Sequence, residues 1–296
     1  MDWQVAGPSD LKDLTAFLKT GEWSHVAFSS RLLKSGRSFF PTSGEARIFI
    51  NRDSQNRHKI GEAMYFSHGG TLVPVLKSNT TSWSVRNDIA ALLSGRSRGI
   101  FSIMGTDSHV RSVELALGLR PTAWVDYNML VHDWKDIPEN TNEAKPSPDI
   151  RKLRFRRAGP GDLQQLFPLH MEYEKEEVLI DPSRFNRRLS YRALQKSLSE
   201  QIVFYAVLGR RVVAKAGTNA VGLSYAQVGG VFTVPELRNR GIAAELMKVL
   251  VHELAAHEKS LCLFVKKSNP AAGSLYAKLG FRFGDDFRIA YFRGVS

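Results

Sequence analysis

Two arginines and a glycine stand at the start of an apolar helix pattern in the stretch TVPELRNRGIAAELM, residues 233–247. The first turn of a helix leaves backbone N–H groups without intrahelical acceptors and carries the positive end of the helix dipole, so an anion is favoured there. Gly241 lets a phosphate approach the backbone, and Arg238 and Arg240 add charge-assisted hydrogen bonds. The stretch therefore predicts a pyrophosphate site, although GxGxxG and GxxxxGK[ST] are both missing. The alternative is a solvated helix start in which both arginines face water.

The elements that position this stretch are expected in the second half of the chain, where apolar residues recur at helical or strand spacing. Alternating charges also predict a strand with a solvated face within 151–157. In chain order we expect a helix with Asp162 as its N-cap, strands over 202–208, 211–218 and 225–234, a helix of about 18 residues from near Gly241, a buried strand over 261–265, a helix over 270–279 and strands over 281–292.

Three short strings recur in the same order, which indicates two copies of one domain. The pairs are AGPSDL and AGPGDL, GGTLVPVL and GGVFTVPEL, and LGLR and LGFR, which begin at residues 6 and 158, 69 and 229, and 117 and 279. We expect a first domain over 1–135 and a second over 150–296. Between them, 136–149 has the polar, proline-rich composition of a linker.

Composition places the chain among ordinary globular proteins, because its 296 residues are 43% hydrophobic and 24% charged. No stretch reaches the ~20 apolar residues that cross a bilayer, and no secretory signal pattern opens the sequence, so we expect a cytoplasmic protein without a membrane partner. The single cysteine, Cys262, excludes a disulfide framework and is expected to be a buried apolar residue. No metal site is predicted.

The segment Arg238-Asn239-Arg240-Gly241-Ile242-Ala243 resembles the Arg/Gln-x-x-Gly-x-Gly/Ala signature of the GNAT acetyltransferase superfamily, and it follows a strand ending in V-x-T-x-P as in that family. Downstream, SNPAAGSLYAKLGF at 268–281 is similar to the family's second motif, an Asn before a helix that carries a Tyr. The resemblance implies an α/β fold of two tandem GNAT-like domains. Each would be a mostly antiparallel sheet flanked by helices, with two splayed parallel strands in the second copy.

The resemblance also implies acetyl-CoA as the acyl donor and gives roles to individual residues. The pantetheine arm would pair with the strand at Val231, Phe232 and Thr233, and Asn269 would contact the arm. Tyr276 would be the general acid that protonates the departing thiolate, which suits a phenol with a pKa of about 10. The alternatives are that Tyr276 only packs in the core and that Asn269 only caps its helix. The pyrophosphate would bind at Arg238, Asn239, Arg240, Gly241, Ile242, Ala243 and Ala244.

The acceptor side needs a base, because an attacking amine must be neutral whereas a lysine-like ammonium has a pKa of about 10.4. Family members often place a carboxylate on the strand before the phosphate loop, but residues 225–230 read YAQVGG and offer none. Glu176 and Glu177 are the catalytic candidates, within an acidic cluster that also holds Glu172 and Glu174. The alternative is that these glutamates form a solvated helix face.

The first copy lacks the corresponding features. Residues 77–93, KSNTTSWSVRNDIAALL, contain no Arg-x-x-Gly-x-Ala, and Glu114 stands opposite Tyr276 when LGLR and LGFR are aligned. We therefore expect the first copy to shape the acceptor cleft or to support the second copy, and not to bind coenzyme A in the same way.

Three hypotheses from different functional classes follow. The first is an N-acyltransferase that moves an acetyl group from acetyl-CoA to a primary amine on a small molecule or peptide. The second is an aminoacyl-transferase that uses charged tRNA; the net charge of +12 suits it and leaves nucleic acid open as a partner, but an intact coenzyme A signature argues against it. The third is a non-catalytic sensor of acetyl-CoA.

Overall fold

The computed structural model describes residues 3–36, 47–53, 55–56, 58–77, 83–94, 99–136 and 152–292. These residues form two compact units. Unit 1 comprises the described residues of Met1–Met129, Phe264–Asn269 and Phe283–Val295, and unit 2 comprises those of Leu130–Leu263 and Pro270–Arg282. The expected linker, 136–149, lies outside the described residues apart from Asp136, so the domain boundaries at 135 and 150 stay a prediction.

Unit 1 combines helices with a mixed sheet. Its described elements are β1 (Trp3–Val5), α1 (Leu11–Lys19), α2 (Val26–Ser35), β2 (Arg47–Arg52), β3 (Ile60–Phe66), β4 (Thr71–Val75), α3 (Trp83–Leu92), β5 (Ser102–Thr106), α4 (Asp107–Leu117), β6 (Ala123–His132, up to 129) and β12 (Arg282–Tyr291, from 283). The strand order is β1-β2-β3-β4-β5-β12-β6. Strands β1 to β4 are antiparallel to their neighbours, β4 and β5 are parallel, and β12 runs antiparallel to β5.

Unit 2 repeats this arrangement with a second set of elements. They are β7 (Leu153–Arg157), α5 (Leu163–Tyr173), a π-helical turn (Glu174–Val178), α6 (Arg187–Glu200), β8 (Val203–Leu208), β9 (Arg211–Val221), β10 (Tyr225–Thr233), α7 (Ile242–Ala256), β11 (Ser260–Lys266, up to 263) and α8 (Pro270–Lys278). The strand order is β7-β8-β9-β10-β11, antiparallel from β7 to β10 and parallel between β10 and β11.

The internal repeat is confirmed by this shared order of three antiparallel pairs followed by one parallel pair. The strings AGPSDL and AGPGDL also form the same turn, in which the Gly7 and Gly159 N–H groups each donate to an aspartate Oδ2, of Asp10 and Asp162, at 2.8 Å. Asp162 does precede a helix as expected. Its carboxylate, however, accepts a hydrogen bond from the Gly159 N–H of the preceding turn and from the Gln165 side chain, and none from a backbone N–H of the first turn of α5.

Most elements expected in the second half are confirmed, with three differences. The helix that follows Gly241 has 15 residues and ends at Ala256. Residues 282–291 form one strand, β12, where several short strands were expected. Helix α6 was not anticipated, because its buried side chains, Ser190, Leu194 and Leu198, give a weak apolar pattern. Cys262 is fully buried, as expected.

Each unit has its own apolar core. In unit 1, Ile89 of α3 and Val110 of α4 join strand residues such as Leu72. In unit 2, Leu166 of α5 and Leu194 of α6 belong to the core that covers β8. No helix within the described part of the chain is long and apolar enough to cross a membrane.

His25, directly before α2 in unit 1, is a buried imidazole. It is 4% exposed, and its Nε2 lies 2.9 Å from the carbonyl oxygen of Leu18. Burial lowers the pKa of His25 to about 4, against a raising effect of the Leu18 carbonyl, and His109 lowers it further. The unfolded chain therefore binds a proton near pH 6.5, whereas the folded chain binds it only near pH 4. Stability is full above pH 6.5 and is lost as the pH falls between these values.

We predict that lowering the pH from 7 to 5 reduces the free energy of unfolding by about 2 kcal/mol through His25. In His25→Gln this part of the pH dependence is absent. Urea unfolding of both proteins at the two pH values, followed by circular dichroism, measures the difference. An equal pH dependence in the two proteins would show that His25 is not the group responsible.

Candidate functional site

The centre of the candidate site is the point in unit 2 where β10 stops pairing regularly. Its parallel register with β11 runs from Tyr225 opposite Ser260 to Val228 opposite Leu263, which confirms the expected parallel strands. Its antiparallel register with β9 shifts between Gly229 and Phe232. Residues 230 and 231 therefore form a bulge without a register partner on β9, and bulges commonly redirect the backbone next to active sites.

A glycine in the left-handed region makes this bulge possible. Gly230 has φ 64°, which favours glycine over other residues. A Cβ on the preceding Gly229 would lie 2.1 Å from the side-chain nitrogen of Asn219, so a larger residue there requires this exposed side chain to move. The bulge therefore depends on glycine at position 230 above all.

The loop after β10 ends in a backbone that is shaped for an anion. Asn239 has φ 60° and Gly241, the N-cap of α7, has φ 81°. The first helical hydrogen bond runs from the Glu245 N–H to the Gly241 carbonyl oxygen at 3.1 Å, so the three preceding amides lack intrahelical acceptors. Left-handed residues beside a helix start form the concave arrangement of N–H groups that binds phosphate. The amides without intrahelical acceptors are those of the predicted residues Ile242, Ala243 and Ala244.

Arg238 takes part in contacts that the sequence did not indicate. Its Nη2 lies 2.8 Å from Oε2 of Glu176, and its Nε donates to the Thr233 carbonyl oxygen at 3.1 Å. The guanidinium also lies 5.3 Å from the ring centroid of Phe232. The structure thus pairs a predicted phosphate ligand with a predicted base candidate. Because both side chains are about 40% exposed, the ion pair contributes at most about 1 kcal/mol.

Tyr276 lies on α8 and is only 7% exposed. Burial raises the pKa of its hydroxyl well above the usual value, and the nearby Tyr173 and Glu177 raise it further. Its ring packs edge-on against Phe281 at a centroid distance of 5.7 Å. The hydroxyl forms no hydrogen bond with the part of the chain that the structure describes. Tyr276 is therefore a phenol that stays protonated and retains a free proton to donate.

Glu177 is the predicted base candidate that the structure brings towards Tyr276. It lies on the π-helical turn after α5, where an extra residue per turn changes the direction of the following side chains. Its carboxylate raises the pKa of both Tyr276 and Tyr173; for Tyr173 burial is the larger cause, and the pKa rises to about 12. Glu176, on the same turn, is directed to Arg238 instead.

A buried polar cluster next to the bulge was missed by the sequence reasoning. Lys215 on β9 is 5% exposed, and burial lowers its pKa to about 7, partly offset by Glu174. Nε2 of His170 lies 3.3 Å from Oε1 of Glu174, and the pKa of this carboxyl is lowered despite its burial. The available signal was a lysine within the apolar strand pattern VVAKAGT, where an inward charge is unusual.

Asn269 lies immediately before α8, as predicted, but among the residues of unit 1. Its N–H donates to the Lys266 carbonyl oxygen at 2.8 Å. Its predicted contact with a cofactor stays a prediction, as does that of Arg240.

The family model described as FR47-like protein matches residues 208–288. No curated protein matches the sequence.

Solved structures match over the whole length at low identity. A Drosophila protein is 15% identical with a TM-score of 0.65, and the match covers 99% of each chain. A tandem GNAT protein from the clavulanic acid biosynthesis pathway is 12% identical with a TM-score of 0.60, covering 100% of this chain and 99% of that one. A GCN5-related N-acetyltransferase from Sphaerobacter thermophilus is 14% identical with a TM-score of 0.58, covering 100% and 96%. The chain therefore has the fold of the GNAT acetyltransferases along its whole length, with an FR47-like segment at 208–288.

Proposed function

We propose that unit 2 transfers an acetyl group from acetyl-CoA to a primary amine on a small molecule or peptide. The observation that carries this proposal is the left-handed Gly241 at the start of α7, after which three amides lack intrahelical acceptors close behind the irregular end of β10. The GNAT fold adds support, because this position corresponds to the phosphate-binding motif that the sequence resembles.

The residues present fit a coenzyme A thioester. The amides of Ile242, Ala243 and Ala244 would hold the pyrophosphate together with Arg240. Thr233, predicted to contact the pantetheine arm, has a buried Oγ1 without a hydrogen-bond partner among the described residues. Such an orphaned hydroxyl is costly to bury and gains a partner if an amide of the arm lies along β10.

Two side chains of unit 2 would move the protons of the reaction. The bound thioester supplies an acyl carbon that is open to attack by an amine. Glu177 accepts, through water, the proton that makes the acceptor amine neutral. Tyr276 donates its hydroxyl proton to the sulfur as the carbon–sulfur bond breaks and the carbon–nitrogen bond forms. We favour Glu177 over Glu176 as the base, because the Glu177 carboxylate acts on the pKa of Tyr276, whereas Glu176 is directed to Arg238.

Unit 1 has no equivalent of the proton donor. Glu114, opposite Tyr276 in the aligned repeat, is buried and pairs with Arg288 at 3.3 Å. Residues 78–82 of the segment aligned with the phosphate loop lie outside the described residues. We therefore propose one acetyl-CoA site per chain, in unit 2.

Gly241→Asp is predicted to weaken acetyl-CoA binding by about 30-fold or more, because it places a carboxylate beside the proposed pyrophosphate site. Gly241→Asn is the matched control, since Asn has the same size as Asp and tolerates the left-handed φ of 81° without adding a charge. Isothermal titration of acetyl-CoA into wild type and both variants measures the dissociation constants and the number of sites.

Equal affinities in the Asp and Asn variants would show that no phosphate lies near Gly241. If wild type does not bind acetyl-CoA, the proposed function is wrong. Salt-dependent RNA binding would then be the next measurement, because the net charge of +12 suits the tRNA-dependent alternative.

A further inference from the structure

Lys215 is a buried cation that the proposed proton transfers do not use. Its Nζ donates to the Gly230 carbonyl oxygen at 3.1 Å and lies 3.8 Å from the ring centroid of Tyr173. Within the described residues it forms no ion pair at 4.0 Å or less. An ammonium buried with one hydrogen bond and one aromatic face costs free energy, and strained or costly groups of this kind concentrate at functional sites.

The hydrogen bond from Lys215 ends on the bulge of β10. A Cβ on Gly230 would lie 3.0 Å from Nζ of Lys215, so the lysine packs directly against this peptide. The orientation of the Gly230 carbonyl is therefore set by this buried side chain and not by pairing with β9.

This orientation also determines where the next N–H group points. The peptide bond between Gly230 and Val231 is trans, so its C=O and N–H groups point in opposite directions. With the carbonyl directed to Lys215, the Val231 N–H is directed away from it. Beyond Val228, β10 has no register partner on β11 among the described residues, so the ladder with β11 does not claim this donor.

We propose that Lys215 is a positioning residue for the acyl group: by holding the Gly230 carbonyl, it directs the Val231 N–H towards the carbonyl oxygen of a thioester bound along β10. The inference rests on the proposed function. A backbone donor fixed before the reaction stabilises negative charge that develops on that oxygen, and it does so without reorganisation. The same donor contacts acetyl-CoA but has no acyl oxygen to contact in free coenzyme A.

The difference between these two ligands provides the test, and it needs no acceptor. Isothermal titration gives dissociation constants for acetyl-CoA and for coenzyme A with wild type and Lys215→Met, which keeps the length of the side chain and removes the charge. We expect the affinity for acetyl-CoA to fall about 3- to 10-fold, the contribution of one hydrogen bond, with the affinity for coenzyme A unchanged.

Lys259→Met is the matched control. The Lys259 ammonium also donates to a backbone carbonyl, that of Gly222 at 3.2 Å, but before the start of β10. Lys259→Met should leave the ratio of the affinities for acetyl-CoA and coenzyme A unchanged. If Lys215→Met does not fold, Tyr173→Leu tests the same lysine, because it removes the aromatic ring whose centroid lies 3.8 Å from the Lys215 Nζ.

The outcomes separate the two proposals. A selective loss of acetyl-CoA affinity in Lys215→Met, or in its substitute at Tyr173, supports the positioning role if Lys259→Met does not show it. Equal losses for both ligands, or no loss, overturn it and leave the proposed function standing, since wild type still binds. A wild type that binds neither ligand overturns both.

Discussion

Replacing Tyr276 by Phe is expected to lower kcat for acetyl transfer by about 10²–10³-fold and to leave the dissociation constant for acetyl-CoA within about twofold. Burial keeps the pKa of this hydroxyl far above neutral, so the proton is present at every physiological pH. The hydroxyl bonds to no described residue, and its removal therefore breaks no hydrogen bond of the folded chain. The loss should appear in the chemical step alone, because the aromatic ring and its contact with Phe281 remain.

Release of free thiol in the presence of a panel of primary amines measures kcat, and titration of acetyl-CoA measures binding on the same preparations. Tyr191→Phe is the matched control, since it removes a hydroxyl on α6 that accepts a hydrogen bond from Gln164 at 2.9 Å. Undiminished turnover in Tyr276→Phe would assign the proton donor elsewhere. Binding by wild type without thiol release from any amine would favour the sensor hypothesis over an enzyme.

The parts of unit 2 that the sequence predicted are those specified by local patterns. Helix α7 follows from apolar residues at helical spacing, and its start follows from Gly241, which adopts the left-handed conformation at the N-cap. The helix that carries Tyr276 could be predicted because it lies within one continuous segment. Each inference needed only residues a few positions apart, for which spacing determines direction.

The contacts that the sequence did not predict join distant residues. Arg238 and Glu176 are separated by 62 positions, and either residue alone reads as a solvated charge. The strand pattern of β9 places the Lys215 side chain on the buried face. Its hydrogen bond to Gly230, however, depends on a bulge in β10 that no local sequence pattern predicts. The partners of these charged side chains are distant in sequence and come close only in the assembled sheet, so the contacts can be identified only from the tertiary structure.

The last strand shows the same limit for the fold of unit 1. Strand β12 carries no local sign that it pairs with β5, yet Phe287 lies opposite Thr106 and Tyr291 opposite Ser102. The strand brings Arg288 beside Glu114, which stands at the position aligned with Tyr276. Unit 1 thus uses the position aligned with Tyr276 for an ion pair between β12 and α4.

Arg288→Met is expected to lower the free energy of unfolding by about 3–5 kcal/mol, because it leaves the carboxylate of Glu114 buried without its counter-charge. Arg288 is 4% exposed, and its Nε and Nη1 lie 3.3 Å from Glu114 and 2.9 Å from Asp126. Its guanidinium also lies 5.1 Å from the ring centroid of Trp124. Urea unfolding followed by circular dichroism measures the loss.

Arg282→Met is the control on the same strand. Arg282 pairs with Asp136 at 2.5 Å, but the two side chains are 71% and 53% exposed, so its loss should cost at most about 1 kcal/mol. Adding Glu114→Gln to Arg288→Met should recover part of the stability, because the buried charge is then removed as well. Equal losses for Arg288→Met and Arg282→Met would show that the buried pair does not hold β12 in place. We expect Arg288→Met to lose more unfolding free energy than Arg282→Met, because the cost of removing one ion-pair partner depends on how deeply the remaining charge is buried.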